Sequence, residues 1–124
     1  MIEFISQQTA KGPYSTIVAA GDVVYLSGQG GIDPVTGHKV VGGITPETRQ
    51  TIENIESLLA SIGLHLSSLV TVTCYLADID EWDEMNQAYA AAMGPDARPV
   101  RTAVEVSALP FGLAIEMTAT AYRG

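Results

Sequence analysis

A chain of 124 residues with 14 acidic against 6 basic side chains, a net charge of −8 and one cysteine has room for one hydrophobic core and not for two. The acidic balance opposes nucleic-acid binding, whose affinity comes largely from Lys and Arg displacing counterions from phosphates, and Lys11, Lys39, Arg49, Arg98, Arg101 and Arg123 are scattered along the chain. The lone Cys74 excludes an internal disulfide and any multi-cysteine zinc site, and no run of about 18 apolar residues is present to span a membrane.

Residues 1–12 lack the basic start and apolar run of a signal peptide, so a cytoplasmic location is expected, and residues 1–124 read as one domain without repeats or linkers. Residues 2–5 read as a first strand. Residues 16–20 and 23–27 read as a hairpin closed at Gly21-Asp22, where glycine supplies the positive φ of a tight turn. Asp33-Pro34-Val35-Thr36-Gly37 is a turn, with Lys39 to Val41 as a further short strand.

Thr45-Pro46-Glu47 has the chemistry of a helix start, a hydroxyl cap followed by Pro and an acid in the first turn. Ile52, Ile55, Leu58, Leu59 and Ile62 then form an apolar stripe that ends at Gly63. Residues 69–76, rich in β-branched side chains, predict a buried strand. Asp80 to Met93 predicts a second helix, capped by Asp80, with Trp82, Met85, Tyr89 and Met93 as its buried face. Two final strands follow from period-2 alternation over 102–106 and 113–121. The order β-β-β-α-β-α-β-β implies an α+β fold, a mixed sheet with two helices on one face. The uncovered face is most economically buried against further copies of the chain in a closed homo-oligomer.

Arg101 opens the penultimate strand and Glu116 lies in the last. If these strands pair with their apolar faces on one core, Arg101 and Glu116 project together from the other side of the sheet. A planar guanidinium grips a carboxylate through two parallel hydrogen bonds, and a partly desolvated carboxyl can hold or move a proton near neutral pH. Arg101 serves equally well, on pattern alone, as an ion-pair partner of Glu105 or Glu116. Ser27-Gly28-Gln29-Gly30-Gly31 follows a strand without opening a helix, which argues against a phosphate loop; its glycines suit close approach of backbone to a small ligand. Cys74 reads as inert core, and neither His38 nor His65 has a second ligand at metal spacing.

Gly12-Pro13-Tyr14-Ser15, Val24-Tyr25-Leu26-Ser27-Gly28-Gln29, Asp33-Pro34-Val35-Thr36-Gly37, Thr48-Arg49-Gln50 with Glu53-Asn54, Asn86-Gln87-Ala88-Tyr89, Pro99 through Val106, Leu109-Pro110 and Ile115-Glu116 together resemble the RidA (YjgF) family in order and spacing over nearly the whole chain. The resemblance implies a chorismate-mutase-like subunit of the bacillus type, a homotrimer with clefts at subunit interfaces, and hydrolysis of 2-aminoacrylate-type enamines and imines to 2-keto acids and ammonia. It implies no cofactor and no metal, while the acidic charge and the lack of a long apolar run lead to the expectation of no nucleic-acid partner and no membrane. By matching positions Arg101 would bind the substrate carboxylate and Glu116 would place water or relay a proton. Tyr14, Ser27, Gly28 and Asn86 would line the cleft.

Ala103 stands where the best-known deaminases of the family carry Cys, two residues after the arginine, and strand alternation points it into the Arg101 cleft. A roomier pocket and a larger enamine acid, such as an aminomuconate-like intermediate, are then the alternative to a small substrate. A trimeric regulatory module that binds small carboxylates without turnover is the rival from another class.

Overall fold

The structure, a computed structural model, describes residues 1–5 and 12–124, so the scattered cation Lys11 lies outside the described residues. The strands are β1 (Ile2–Ile5), β2 (Ile17–Ala20), β3 (Val23–Gly30), β4 (Leu69–Leu76), β5 (Val100–Glu105) and β6 (Ile115–Tyr122); the helices are α1 (Ile44–Ala60) and α2 (Trp82–Met93). They form one sheet in the order β1-β2-β3-β6-β4-β5. All neighbours run antiparallel except β4 and β5, which are parallel and joined through α2, as a crossover connection requires.

The hairpin turns at Gly21, whose φ of 62° a side chain would resist, and its register pairs Ala20 with Val23. Lys39 to Val41 does not form a strand; only an isolated bridge between Ile32 and Lys39 remains. α1 starts from Gly43 rather than Thr45, which sits within the first turn and donates its hydroxyl to Glu84 at 3.0 Å. The second helical segment is capped by Asp78, not Asp80: the Asp78 carboxylate accepts the Asp80 N–H at 2.9 Å and starts the turn that leads into α2. That places the cap two residues earlier than local composition suggested.

Both helices cover the same face. Ile52, Ile55 and Leu59 of α1 and Met85 of α2 are buried in one cluster with Ile17, Leu26, Val72, Cys74, Leu76, Ile115, Met117 and Ala119 of the sheet. β4 is consequently half-buried, not fully buried: Leu69, Val72, Cys74 and Leu76 point inward while Val70 is exposed. The opposite face is open and still apolar. Paired positions place Phe4, Val18, Tyr25, Thr120, Thr71 and Val100 in one row across it. Phe4 and Val100 are 72% and 71% exposed. An apolar sheet face of this breadth on a single chain is the mark of an interaction surface.

The strand order corrects one expectation outright. β5 pairs with β4 and not with β6, and register puts Arg101 level with Val72 and Ala119, on the helix-covered face. Glu116 is level with Tyr75 and Val104, on the open face. The two residues therefore project from opposite sides of the sheet. Val104 of β5 is exposed because no helix covers the face it occupies.

Candidate active site in two halves

The sequence-predicted site residues other than Ala103 fall into two separate clefts. One, of about 780 Å³, lies where β3 meets β6 and includes Tyr14, Ser27, Gly28 and Glu116 in its wall. A register shift between Leu26 and Gln29 sets Ser27 and Gly28 out of the regular ladder opposite β6. Such a bulge re-aims the chain, and here it brings backbone against a side chain. A Cβ on Gly28 would stand 2.7 Å from Glu116 Oε2, so only glycine leaves the carboxylate its place.

The Glu116 carboxylate has no hydrogen-bond or ion-pair partner among the described residues, and desolvation by burial raises its pKa above the ordinary carboxylate value. Beneath it, Asn54 of α1 donates its amide to the carbonyls of Gly30 at 3.1 Å and Ile32 at 2.9 Å. The Glu47 side chain, only 2% exposed, accepts the Ala114 N–H at 2.8 Å and ties α1 to the start of β6. Gly31 packs directly on Glu47, where a Cβ would come within 2.8 Å of the helix backbone. Phe111, held at φ 61° in the left-handed region, closes one side of the cleft.

The second cleft, of about 330 Å³, lies between α2 and the approach to β5 and includes Asn86, Tyr89, Arg98 and Arg101. The Arg101 guanidinium stands 4.6 Å from the centre of the Tyr89 ring and 5.5 Å from that of Trp82. Asn86 and Tyr89 are three residues apart on α2 and so share the helix face that meets this cleft. Two π faces attract a cation and restrict the swing of its plane, which prepares a forked donor for a carboxylate. The Tyr89 hydroxyl is buried without a hydrogen-bond partner. Burial pushes its pKa up to about 12, with Cys74 adding to the rise and Arg101 opposing it.

Arg101 has neither of the ion-pair partners that its sequence neighbourhood offered. The Glu105 carboxylate instead accepts the Ile79 N–H at 2.9 Å, and Glu116 lies on the other face. Ala103 is on Arg101's face, level with Cys74 and packed against the core, and borders neither cleft of the single chain. Cys74 is fully buried, and desolvation raises its thiol to about 11. Among the described residues no group of three or more His, Cys, Asp and Glu is placed to hold a metal ion, and no helix is long and apolar enough to cross a membrane.

Sequence reasoning missed the supports of the site more than its actors. Glu47 read as a dipole partner at a helix start, and nothing local distinguishes that from a buried acceptor for a distant N–H. Trp82 read as core, yet it is 36% exposed and lies over Arg101. Arg98 read as one of several scattered cations.

A family model described as Endoribonuclease L-PSP matches residues 4–123. A RutC family protein of Pyrococcus horikoshii is 44% identical over 112 residues, spanning 90% of this chain and 88% of the relative. A 2-iminobutanoate/2-iminopropanoate deaminase of Homo sapiens is 37% identical over 115 residues, spanning 93% of this chain and 83% of the relative. The crystal structure of the YjgF gene product from E. coli superposes with a TM-score of 0.90 at 29% identity, covering 98% of this chain and 99% of that one. Agreement of this extent in both sequence and backbone makes the chain a member of the endoribonuclease L-PSP family, to which the RidA, YjgF and RutC proteins belong.

Proposed function

We propose that this chain is an enamine/imine deaminase that releases a 2-keto acid and ammonia, and that its site is completed between copies of the chain in a closed homotrimer. The observation that carries the reading is the division of the site. A stacked guanidinium without a carboxylate partner and a desolvated carboxyl without a cation stand on opposite faces of one sheet. Each half is idle alone. The exposed apolar face that bears Glu116 supplies the contact surface for a second copy, in a chorismate-mutase-like arrangement that would bring its Arg101 cleft to the first copy's Glu116. The deaminases of human and mouse, about a third identical to this chain, support the chemistry.

In this reading the substrate carboxylate docks on Arg101. The enamine takes a proton from solvent on its β-carbon and becomes the iminium. A water then gives a proton to Glu116 as its oxygen bonds to the iminium carbon, forming a carbinolamine. Glu116 returns that proton to nitrogen, the C–N bond breaks, ammonia leaves, and the hydroxyl loses its proton to solvent as the keto group forms. The protein supplies an anchor, a placed water and a proton relay, and the reaction requires no protein nucleophile. An RNA-cleaving activity has no support in the charge of the chain, −8 overall.

The test is complementation. Arg101→Lys and Glu116→Gln chains, each nearly inactive alone, are unfolded, mixed in equal amounts and refolded together. Random trimers should recover about a quarter of the parental ammonia release from freshly generated 2-aminoacrylate, because about one interfacial site in four then holds both native residues. A mixture no more active than its components would refute the shared site. A parent that binds 2-keto acids but releases no ammonia would identify the regulatory module instead.

A further inference from the structure

Arg98 lines the same small cleft as Arg101, and no Asp or Glu lines it. Lys39 and Arg49 also stand outside any ion pair among the described residues, so what sets Arg98 and Arg101 apart is that they share one cleft. Among the described residues the ion pair present is that of Arg123 with Glu3, and neither Arg98 nor Arg101 has one. In a regular strand, positions 98 and 101 would face opposite ways. Here β5 begins only at Val100, so Arg98 and Pro99 precede the sheet and both arginines border one cavity of about 330 Å³.

The two cations are held differently. Arg101 is half-buried and lies against the rings of Trp82 and Tyr89, whereas Arg98 is exposed and has no ion-pair partner among the described residues. A ligand with one carboxylate neutralises Arg101 and leaves Arg98 unanswered. A ligand with two, separated by a short chain, neutralises both.

We propose that this cleft selects imino and keto diacids, with Arg101 taking the carboxylate beside the reacting carbon and Arg98 the carboxylate at the far end of a short chain. Arg98 is thus a specificity-determining residue. The proposal rests on the deaminase reading for the identity of the reacting group, and on the cleft alone for the preference between one carboxylate and two.

The experiment compares 2-oxoglutarate with its 5-methyl monoester, whose distal end is neutral, by calorimetry on the assembled protein. The parent should bind the diacid about tenfold more tightly, a modest ratio for a charge-assisted contact because Arg98 is exposed. Arg98→Met should abolish that ratio while leaving the affinity for the monoester unchanged, and Arg98→Lys should restore part of it. The ratio should also shrink with added salt. A parental ratio near one, or a ratio that survives Arg98→Met, overturns the proposal. Ammonia release from short imino acids is measured on the same samples: release without diacid preference defeats this inference and leaves the deaminase reading standing, and diacid preference without release from any imine does the reverse.

Discussion

The two clefts of this protein are opposites in charge and in construction. The larger is built around a carboxyl that burial makes harder to ionise, lodged against a glycine in a bulged strand. The smaller is built around guanidinium groups, one of them set against two aromatic rings of α2. Had the two lain side by side, they would have neutralised one another as a structural ion pair. Separation by the sheet keeps both chemically available, and in the proposed homotrimer assembly would join them.

The largest expected effect tests the carboxyl half. Glu116→Gln preserves shape but cannot exchange a proton, so turnover should fall by about 100-fold or more, the scale of general acid–base catalysis, with keto-acid affinity retained. Because the raised pKa favours the protonated form in the folded protein, Glu116 contributes stability at low pH that is lost as pH rises through its folded pKa. The Gln variant should accordingly be no less stable than the parent at neutral pH. In the parent, activity should fall as pH is lowered, with a midpoint above that of an ordinary Glu, and this limb should vanish in the variant. Full ammonia release by the variant would remove Glu116 from the mechanism.

Arg101→Lys tests the cationic half. A point charge replaces neither the bidentate fork nor the stacked plane, and the loss should be about 2–3 kcal/mol, roughly 30- to 150-fold in kcat/KM. Circular dichroism should show the fold intact. Parental kinetics in this variant would mean that the guanidinium is structural and the carboxylate anchor lies elsewhere.

Glu47→Ala probes the scaffold under the larger cleft. It leaves the Ala114 N–H without its acceptor and opens a void at a fully packed position, so urea unfolding should show a loss of about 2–4 kcal/mol. Glu47→Gln, which keeps an acceptor, should lose less. Equal losses in the two would show that the negative charge, not the hydrogen bond, is what the site requires.

The smallest effect belongs to Tyr89. Its hydroxyl has no partner, so Tyr89→Phe should change stability by less than about 1 kcal/mol, in either direction. Weaker binding of keto acids in this variant, with unchanged stability, would show that the hydroxyl turns to the ligand when the cleft is filled.

Local sequence determined most of the elements. Period-2 alternation marked the last two strands, β-branched residues marked β4, a 3.6-residue stripe from Ile52 to Ile62 marked α1, and Gly21 marked the hairpin, because each of these is set by residues close together in the chain. The order of motifs from Tyr14 to Glu116 marked the family for the same reason. Tertiary structure alone decided that β5 would pair with β4, a contact between distant segments that no periodicity encodes. That single choice moved Arg101 to the helix-covered face, gave it Trp82 and Tyr89 as neighbours, brought Arg98 to its side and parted it from Glu116. Alternation along a strand says which residues share a face, but which face meets the helices is settled only when the whole sheet finds its order and buries its apolar side.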